Sequence, residues 1–181
     1  MKHIAVFCSA QELEDEFIQD AKEFAKLIVE HGYGLIWGGS DRGLMRVVAR
    51  SVKEAGGRIV GVSLELLKEY AMEDAHEMII TKDFSERKAA MLQRCDAIAV
   101  LAGGLGTLDE ITEVLELKKH NLHSKPVLIL NTAHFYDGLK MQLQQIKERG
   151  FIKRSLDELV YFSDTPSDAI AYLNKAFSSF Q

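Results

Sequence analysis

The sequence predicts an α/β fold: a three-layer, doubly wound, Rossmann-like sheet of mostly parallel strands with helices on both faces. Short apolar runs without alternation recur along the chain, as expected for strands that are covered on both faces. Segments with a helical period lie between these runs, so strand and helix alternate throughout. Because no linker, repeat or low-complexity tract interrupts this alternation, we predict a single domain over residues 1–181.

The first half of the chain supplies four strands and three helices. The runs HIAVFCS, YGLIW, RIVGVS and EMIIT predict strands over 3–9, 33–37, 58–63 and 77–81. Residues 13–30 are amphipathic, because Phe17, Phe24 and Ile28 recur on one face and charged residues fill the other. The same pattern predicts helices over 43–55 and 85–94, the latter with Asp83 as a candidate N-cap.

The second half continues the alternation. The runs DAIAVLA, PVLILN and LVYF predict strands over 96–102, 126–131 and 159–162. Helical patterns cover 107–119, 135–148 and 166–177. The last helix follows Asp164–Thr165–Pro166, a favourable start with proline in the first turn.

Composition excludes some classes of function. The chain has 181 residues, 47% of them hydrophobic, and a net charge of -5, which disfavours a nucleic-acid-binding surface. The acidic residues that soon follow the N-terminus do not suit a secretory leader, and no apolar run approaches a membrane span. Cys8 and Cys95 lie in or beside apolar runs, so we expect buried thiols and a cytoplasmic protein.

Two strand-to-helix turns are unusually rich in glycine. In open α/β sheets the ligand crevice lies at the carboxyl ends of the strands, where such turns occur. Glycine brings backbone N–H groups close to a ligand, and the following helix supplies further free N–H groups and a partial positive charge. Together these features predict a phosphate site. The turns are Trp37–Gly43 and Ala102–Thr107, which include the hydroxyls of Ser40 and Thr107.

Alternatives to this interpretation remain. The segment after the fifth strand lacks the third glycine of the dinucleotide fingerprint, and the chain has no P-loop ending in Gly-Lys-Ser or Gly-Lys-Thr. Thr107 and Glu110 have the spacing of a capping box, which would satisfy only helix N–H groups. By periodicity, Arg87 and Lys88 are typical of an exposed helical face.

The motifs together resemble the Lonely Guy (LOG) family, the cytokinin riboside 5′-monophosphate phosphoribohydrolases, which are often labelled lysine decarboxylases. The family pattern PGGxGTxxE corresponds here to residues 102–110 and departs from it only in the first position. Further matches run along most of the chain. They are VFC at 6–8, GLIWGG at 34–39, GLM at 43–45, Arg87–Lys88 with Met91, and HxKPV at 123–127.

The resemblance implies hydrolysis of the N-glycosidic bond of a nucleoside 5′-monophosphate, with no metal or organic cofactor, by a homodimer. It implies that Arg87 and Glu110 are the catalytic pair. The resemblance also makes Lys88 a predicted substrate contact. A Schiff-base role for Lys88 is disfavoured in so short a chain. The predicted substrate-binding and phosphate-binding residues are Gly38, Gly39, Ser40, Gly43, Met45, Lys88, Gly103, Gly104, Leu105, Gly106 and Thr107.

Several positions depart from the family pattern and leave the preferred base open. Ala102 replaces the usual proline, Ser40 replaces a glycine and Arg46 replaces the glycine after GLM. Ser9–Ala10–Gln11 and Glu116–Leu117 replace a Gly-Ser-Ser and a Thr-Trp. Arg42 and Arg46 either bind extra phosphate or pair with surface acids. The competing function is a nonhydrolytic carrier that resembles the molybdenum-cofactor carriers.

Overall fold

The computed structural model describes residues 1–178. Its strands form one seven-stranded sheet. All six strand pairings are parallel, and the strand order is β4-β3-β2-β1-β5-β6-β7. The strands are β1 (His3–Phe7), β2 (Gly34–Trp37), β3 (Ile59–Leu64), β4 (Glu77–Thr81), β5 (Ala97–Val100), β6 (Val127–Leu130) and β7 (Tyr161–Ser163).

Helices follow the strands in chain order. They are α1 (Asp15–Glu30), α2 (Gly43–Glu54), α3 (Phe84–Arg94), α4 (Leu105–Lys119), α5 (Asp137–Glu148), α6 (Leu156–Leu159) and α7 (Pro166–Ser178). Short 3₁₀ segments occupy Glu65–Tyr70 and Thr132–His134. None of the helices within residues 1–178 combines the length and apolarity required to cross a bilayer.

The sheet separates two hydrophobic cores. Alternate residues of each strand point to opposite faces, so Ile4 and Val6 of β1 join one core while Ala5 and Phe7 join the other. Helices α1, α2 and α7 cover the first face, and α3, α4, α5 and α6 cover the second. This arrangement confirms the predicted three-layer α/β fold, and it explains why the strands lack polar alternation.

The observed bounds of the strands and helices show where the hydrophobic pattern of the sequence did not predict them correctly. The strand predicted over 159–162 was placed too early, because Leu156–Leu159 forms a short helix and the strand is Tyr161–Ser163. The 3₁₀ segment Glu65–Tyr70 was not predicted, since its side chains are exposed and show no apolar period. Asp83 is confirmed as a cap: its Oδ1 accepts a hydrogen bond of 2.8 Å from the Glu86 N–H. Thr165 caps α7 in the same way, at 3.2 Å from the Asp168 N–H.

Strand order changes direction between β1 and β5, and this switch point fixes where a ligand crevice opens. The chain first adds β2, β3 and β4 on one side of β1, and then crosses over to place β5 on the other side. The helices that follow β1 and β5 therefore diverge onto opposite faces, α1 with the first core and α4 with the second. The gap between them lies at the carboxyl ends of the strands.

Gly43 provides a test of how tightly the turn after β2 is packed. Its φ is +51°, and a Cβ there would overlap the backbone of Ala10 and Gln11 in the turn after β1. Gly43→Ala should therefore lower the free energy of unfolding by about 2–4 kcal/mol, combining left-handed strain with overpacking. Gly56→Ala is the matched control, because Gly56 has φ +83° but open space around it; it should cost only about 1 kcal/mol. Urea denaturation of both variants measures the difference, and equal losses would contradict the predicted clash.

Candidate active site

Three strand-to-helix turns meet at the switch point. The turns after β1, β2 and β5 are adjacent because β1 lies between β2 and β5. Backbone hydrogen bonds join them: the Ser9 N–H donates to the Ala102 carbonyl, and the Met45 N–H donates to the Ser9 carbonyl, each at 3.0 Å. The turns enclose a cavity of about 800 Å³. This volume suits a small-molecule ligand.

Most of the residues predicted from sequence lie in the wall of this cavity. They are Gly38, Ser40, Gly43, Met45, Arg87, Gly104, Leu105, Gly106, Thr107 and Glu110. They come from the turn after β2, from α2 and α3, and from the N-cap and first turns of α4, so the fold brings together residues that are far apart in sequence.

Three predicted residues are not part of the wall. Gly39 has φ +76° and allows the turn after β2 to pass close to Ser63. Gly103 lies against Thr107, whose side chain occupies the space where a Cβ would be. Lys88 binds Asp109 at 2.9 Å and also pairs with Glu113, so its ammonium joins α3 to α4 outside the cavity. The structure does not support Lys88 as a substrate contact.

Arg87 and Glu110 form a buried ion pair in the wall of the cavity. The Arg87 Nη1 donates to Glu110 Oε1 at 2.7 Å, and the two side chains are only 8% and 7% exposed. The Arg87 Nε donates to the Val62 carbonyl of β3 at 2.9 Å. These bonds fix the guanidinium between the sheet and α4, and they hold the carboxylate in one orientation. The exposed helical face expected from periodicity is therefore wrong for Arg87.

Gly38 leaves room for this guanidinium. A Cβ at Gly38 would overlap the Arg87 Nη2 and would also lie within 2.9 Å of the Met45 side chain. The ion pair therefore requires glycine at position 38, because any Cβ there would displace the guanidinium. Spacing in the sequence could not indicate this contact, since it joins the turn after β2 to a helix on the far face of the sheet.

Burial controls the ionisation of the groups around the pair. It raises the pKa of Glu110, while the charge and hydrogen bond of Arg87 act in the opposite direction and only partly offset the shift. Burial also raises the pKa of the nearby Cys8 thiol, and the Glu110 carboxylate adds to that effect. The thiol is therefore neutral at physiological pH, and Glu110 depends on Arg87 to remain ionised.

Helix α4 begins two residues before the sequence pattern predicted. Gly104 occupies the N-cap position, so Thr107 is inside the first turn and Glu110 lies a full turn later. Glu110 bonds Arg87 and does not reach back to the N–H groups of the helix start. The capping-box interpretation is therefore wrong. The first N–H groups of α4 have no intrahelical acceptor, and Gly104 and Gly106 leave open space beside them.

Other cavity residues were not predicted as site residues. Cys8 and Ser9 come from the turn after β1, and Tyr70 and Phe84 come from the 3₁₀ segment and the start of α3. The guanidinium of Arg42 stacks over the Tyr70 ring at 3.5 Å. The only signal in the sequence was the departure of Ser9–Ala10–Gln11 from the family pattern, because the 3₁₀ segment has no periodic pattern.

The departures from the family pattern have different surroundings. Arg46 lines the cavity and pairs with Glu12 at 2.8 Å, as the surface-pairing alternative expects. Glu116 is exposed and binds Lys119 at 2.6 Å, away from the cavity wall. Within residues 1–178, no cluster of three His, Cys, Asp or Glu side chains is placed to hold a metal ion. None of the described cavity residues is a lysine, so a pyridoxal phosphate Schiff base does not fit.

Comparison with known sequences gives extensive matches. A family model described as "Possible lysine decarboxylase" matches residues 45–173. A cytokinin riboside 5′-monophosphate phosphoribohydrolase of Mycobacterium tuberculosis is 34% identical over 92% of this chain and 90% of its own length. The Arabidopsis thaliana enzyme LOG5, of the same name, is 36% identical over 85% of this chain and 69% of its own length.

Comparison with solved structures supports the fold alone. The molybdenum cofactor binding protein of Rippkaea orientalis superposes with a TM-score of 0.77 at 20% identity, covering 97% of both chains. The molybdenum cofactor carrier protein of Chlamydomonas reinhardtii gives a TM-score of 0.74 at 24% identity, covering 98% of both chains.

The sequence relatives match most of the chain at more than 30% identity, whereas the carrier proteins share its architecture. The chain therefore belongs to the "Possible lysine decarboxylase" family, the family of the LOG phosphoribohydrolases.

Proposed function

We propose that this protein hydrolyses the N-glycosidic bond of nucleoside 5′-monophosphates, giving the free base and ribose 5-phosphate. The observation that carries this proposal is the buried Arg87–Glu110 pair, which faces the same cavity as the bare N–H groups of α4. The relatives named cytokinin riboside 5′-monophosphate phosphoribohydrolase support the reaction class. The preferred base stays open.

The start of α4 supplies the phosphate cradle in this proposal. Backbone N–H groups at a helix N-terminus bind anions, and Gly104 and Gly106 let a phosphate approach without meeting a Cβ. Thr107 adds a hydroxyl to the cavity wall. Holding the phosphate at this position provides binding energy that places the ribose over the carboxylate one helical turn away.

Glu110 and Arg87 then act on the sugar. As the glycosidic bond breaks, its electron pair moves to the base and positive charge develops on the ribose ring. The Glu110 carboxylate stabilises that charge, as carboxylates do in glycoside hydrolysis. Water adds its oxygen to the sugar carbon, and one of its protons ends on the base. Arg87 keeps Glu110 ionised and oriented through its 2.7 Å bond.

Substitution of the pair tests the reaction class. Glu110→Gln and Arg87→Met should each lower the release of adenine from AMP by about 10²–10⁴-fold. Arg94→Met, at the exposed end of the same helix, should retain activity because Arg94 pairs with Glu77 outside the cavity. Adenosine should be a poor substrate for every variant, because it lacks the anchoring phosphate. Chromatographic measurement of free base provides the readout.

Each single substitution also leaves one charge buried without its partner, at a cost of about 3–5 kcal/mol. The double variant Arg87→Met/Glu110→Gln controls for this loss: it should regain stability but not activity. If the wild-type protein binds nucleotides but releases no base from a panel of monophosphates, the hydrolase proposal fails and the carrier function gains support.

The acid side of the pH profile tests the ionisation of Glu110. The mechanism needs the carboxylate, and burial raises the pKa of Glu110 above its ordinary value of 4.5. Activity should therefore fall with decreasing pH through an inflection above 4.5. Asp109→Asn should move the inflection to lower pH, because the Asp109 charge raises the pKa of Glu110. The substrate phosphate titrates identically with both enzymes, so kcat/KM profiles that coincide would contradict this assignment.

We also propose a homodimer that uses the exposed apolar rim of the cavity. Leu105 is 86% exposed and Phe84 is 55% exposed, and both lie at the cavity mouth. Sedimentation velocity should give twice the chain mass of 20.3 kDa. Phe84→Glu should shift the protein toward the monomer, whereas Phe151→Glu, at an exposed position beyond α5, should not. A wild-type monomer would refute the dimer. The cytoplasmic location stays a prediction.

A further inference from the structure

A second cavity lies at the opposite end of the sheet from the candidate active site. It has a volume of about 500 Å³ and opens beside the C-terminal end of α4, the segment leading into β6, and α7. Pro126 in its wall immediately precedes β6, which places this cavity at the amino ends of the strands. Helix α4 is 15 residues long, so its two ends, and the two cavities, are separated by about 22 Å.

Lys118 lies in the wall of this cavity with an unpaired ammonium group. The residue is 6% exposed, and its Nζ makes no hydrogen bond or ion pair with any of residues 1–178. Since no fully buried side-chain nitrogen in that range lacks a partner, the ammonium must reach the cavity surface. A buried cation without a partner carries an energetic cost, which an anion in the cavity would remove.

Arg154 places a second positive charge beside Lys118. The Arg154 Nη1 donates to the Lys118 carbonyl at 3.0 Å and to Asn121 Oδ1 at 2.9 Å. Its Nε donates to Glu158 at 3.1 Å. Glu158 can balance only one of the two cations, so the cavity retains a net positive charge. Burial and the Arg154 charge together lower the pKa of Lys118 to about 8.

Capping of α4 explains Arg154 but not Lys118. Cations near a helix C-terminus are favourable because the last carbonyls are unsatisfied, and Arg154 binds one of these carbonyls. The Lys118 ammonium binds no carbonyl in the described part of the chain. Capping of the helix therefore does not explain the position of the Lys118 ammonium.

Other walls define the class of ligand. The Ser124 hydroxyl donates no hydrogen bond to the described residues. Asn121 accepts a hydrogen bond from Arg154 through its Oδ1, and its amide nitrogen donates none to the described residues. Pro126 and Tyr172 supply an apolar wall, and Tyr172 is held by stacking on Tyr161 at a ring separation of 4.4 Å. Several donors around one ammonium suit an oxyanion with several acceptor oxygens.

We propose that this second cavity binds a small oxyanion of the phosphate class through Lys118, with Arg154, Ser124 and Asn121 completing the site. The site is separate from the candidate active site and does not depend on the proposed hydrolase activity. Binding would neutralise the unpaired charge and join the C-terminal end of α4 to the segment before α6.

Residue-resolved titration with inorganic phosphate tests the proposal. In ¹H–¹⁵N spectra of the full chain at constant ionic strength, the amides of Asn121, Ser124 and Arg154 should shift saturably. Lys118→Met should weaken this response by about tenfold or more, since a charged hydrogen bond is lost. Lys119→Met is the matched control, because Lys119 is its neighbour on the helix but pairs with Glu116 outside this cavity. Amides at Gly104 and Gly106 report separately on phosphate in the first cavity.

Binding of sulfate at different pH values provides a second test, which uses the wild-type protein. Sulfate is chosen because its own charge is constant over this pH range. Between about pH 7 and about pH 9 the Lys118 ammonium loses its proton, so sulfate binding at this cavity should weaken by about tenfold. The groups that face Lys118 are Arg154, Glu158, His123 and Tyr172. Burial lowers the pKa of His123 and raises the pKa of Tyr172, so neither of these two changes its charge over this pH range. Acetate, tested in parallel at about pH 7, should bind more weakly than phosphate.

The outcomes are distinct. Saturable shifts that are lost in Lys118→Met and kept in Lys119→Met would support the site. The absence of saturable shifts at Asn121, Ser124 and Arg154 in the wild-type protein, or an unchanged response in Lys118→Met, would overturn it. Acetate binding as tightly as phosphate would replace the phosphate class with carboxylates.

Discussion

The cavity at the switch point depends on one buried ion pair. Arg87 and Glu110 come from helices that follow different strands, and they meet where water is largely excluded. The pair survives burial because the guanidinium also binds the Val62 carbonyl and because Gly38 leaves space for it. Hydrophobic residues of similar volume would often be as stable as such a pair. Its presence in the cavity wall therefore agrees better with a chemical role than with a purely structural one.

Most of the fold could be predicted because its determinants are local. The parallel strands are covered on both faces, so each appears as a short apolar run, and the helices between them bury a single stripe. Prediction failed where a local pattern is ambiguous or lacks a period. The apolar run LVYF, residues 159–162, continues without a break from the end of the helix Leu156–Leu159 into the strand Tyr161–Ser163, and only tertiary contacts divide it into helix and strand. The 3₁₀ segment Glu65–Tyr70 buries none of its side chains and gave no signal.

The site was predicted less completely, for reasons of geometry. Glycine-rich turns and the match to a family indicated the cavity wall, but neither could show which glycines face the ligand. Gly38 accommodates a guanidinium and Gly103 accommodates Thr107. The Arg87–Lys88 pair illustrates the limit of a motif: consecutive residues on a helix point about 100° apart. One of the two can therefore face the cavity while the other joins Asp109 and Glu113 on the outer surface of α4.

Helix α4 connects the two proposed anion sites, and its polarity explains why they are built differently. At its N-terminus, free N–H groups and the positive end of the helix dipole favour a phosphate, so the backbone there can be bare glycine. Its C-terminus is the negative end of the same dipole, and the last carbonyls there repel an anion. Positive charge at that end must come from side chains, and Lys118 and Arg154 supply it. The first site binds its anion through backbone N–H groups, and the second binds through side-chain charge. Substitution of Lys118 therefore removes the second site and leaves the main-chain geometry of the first site unchanged.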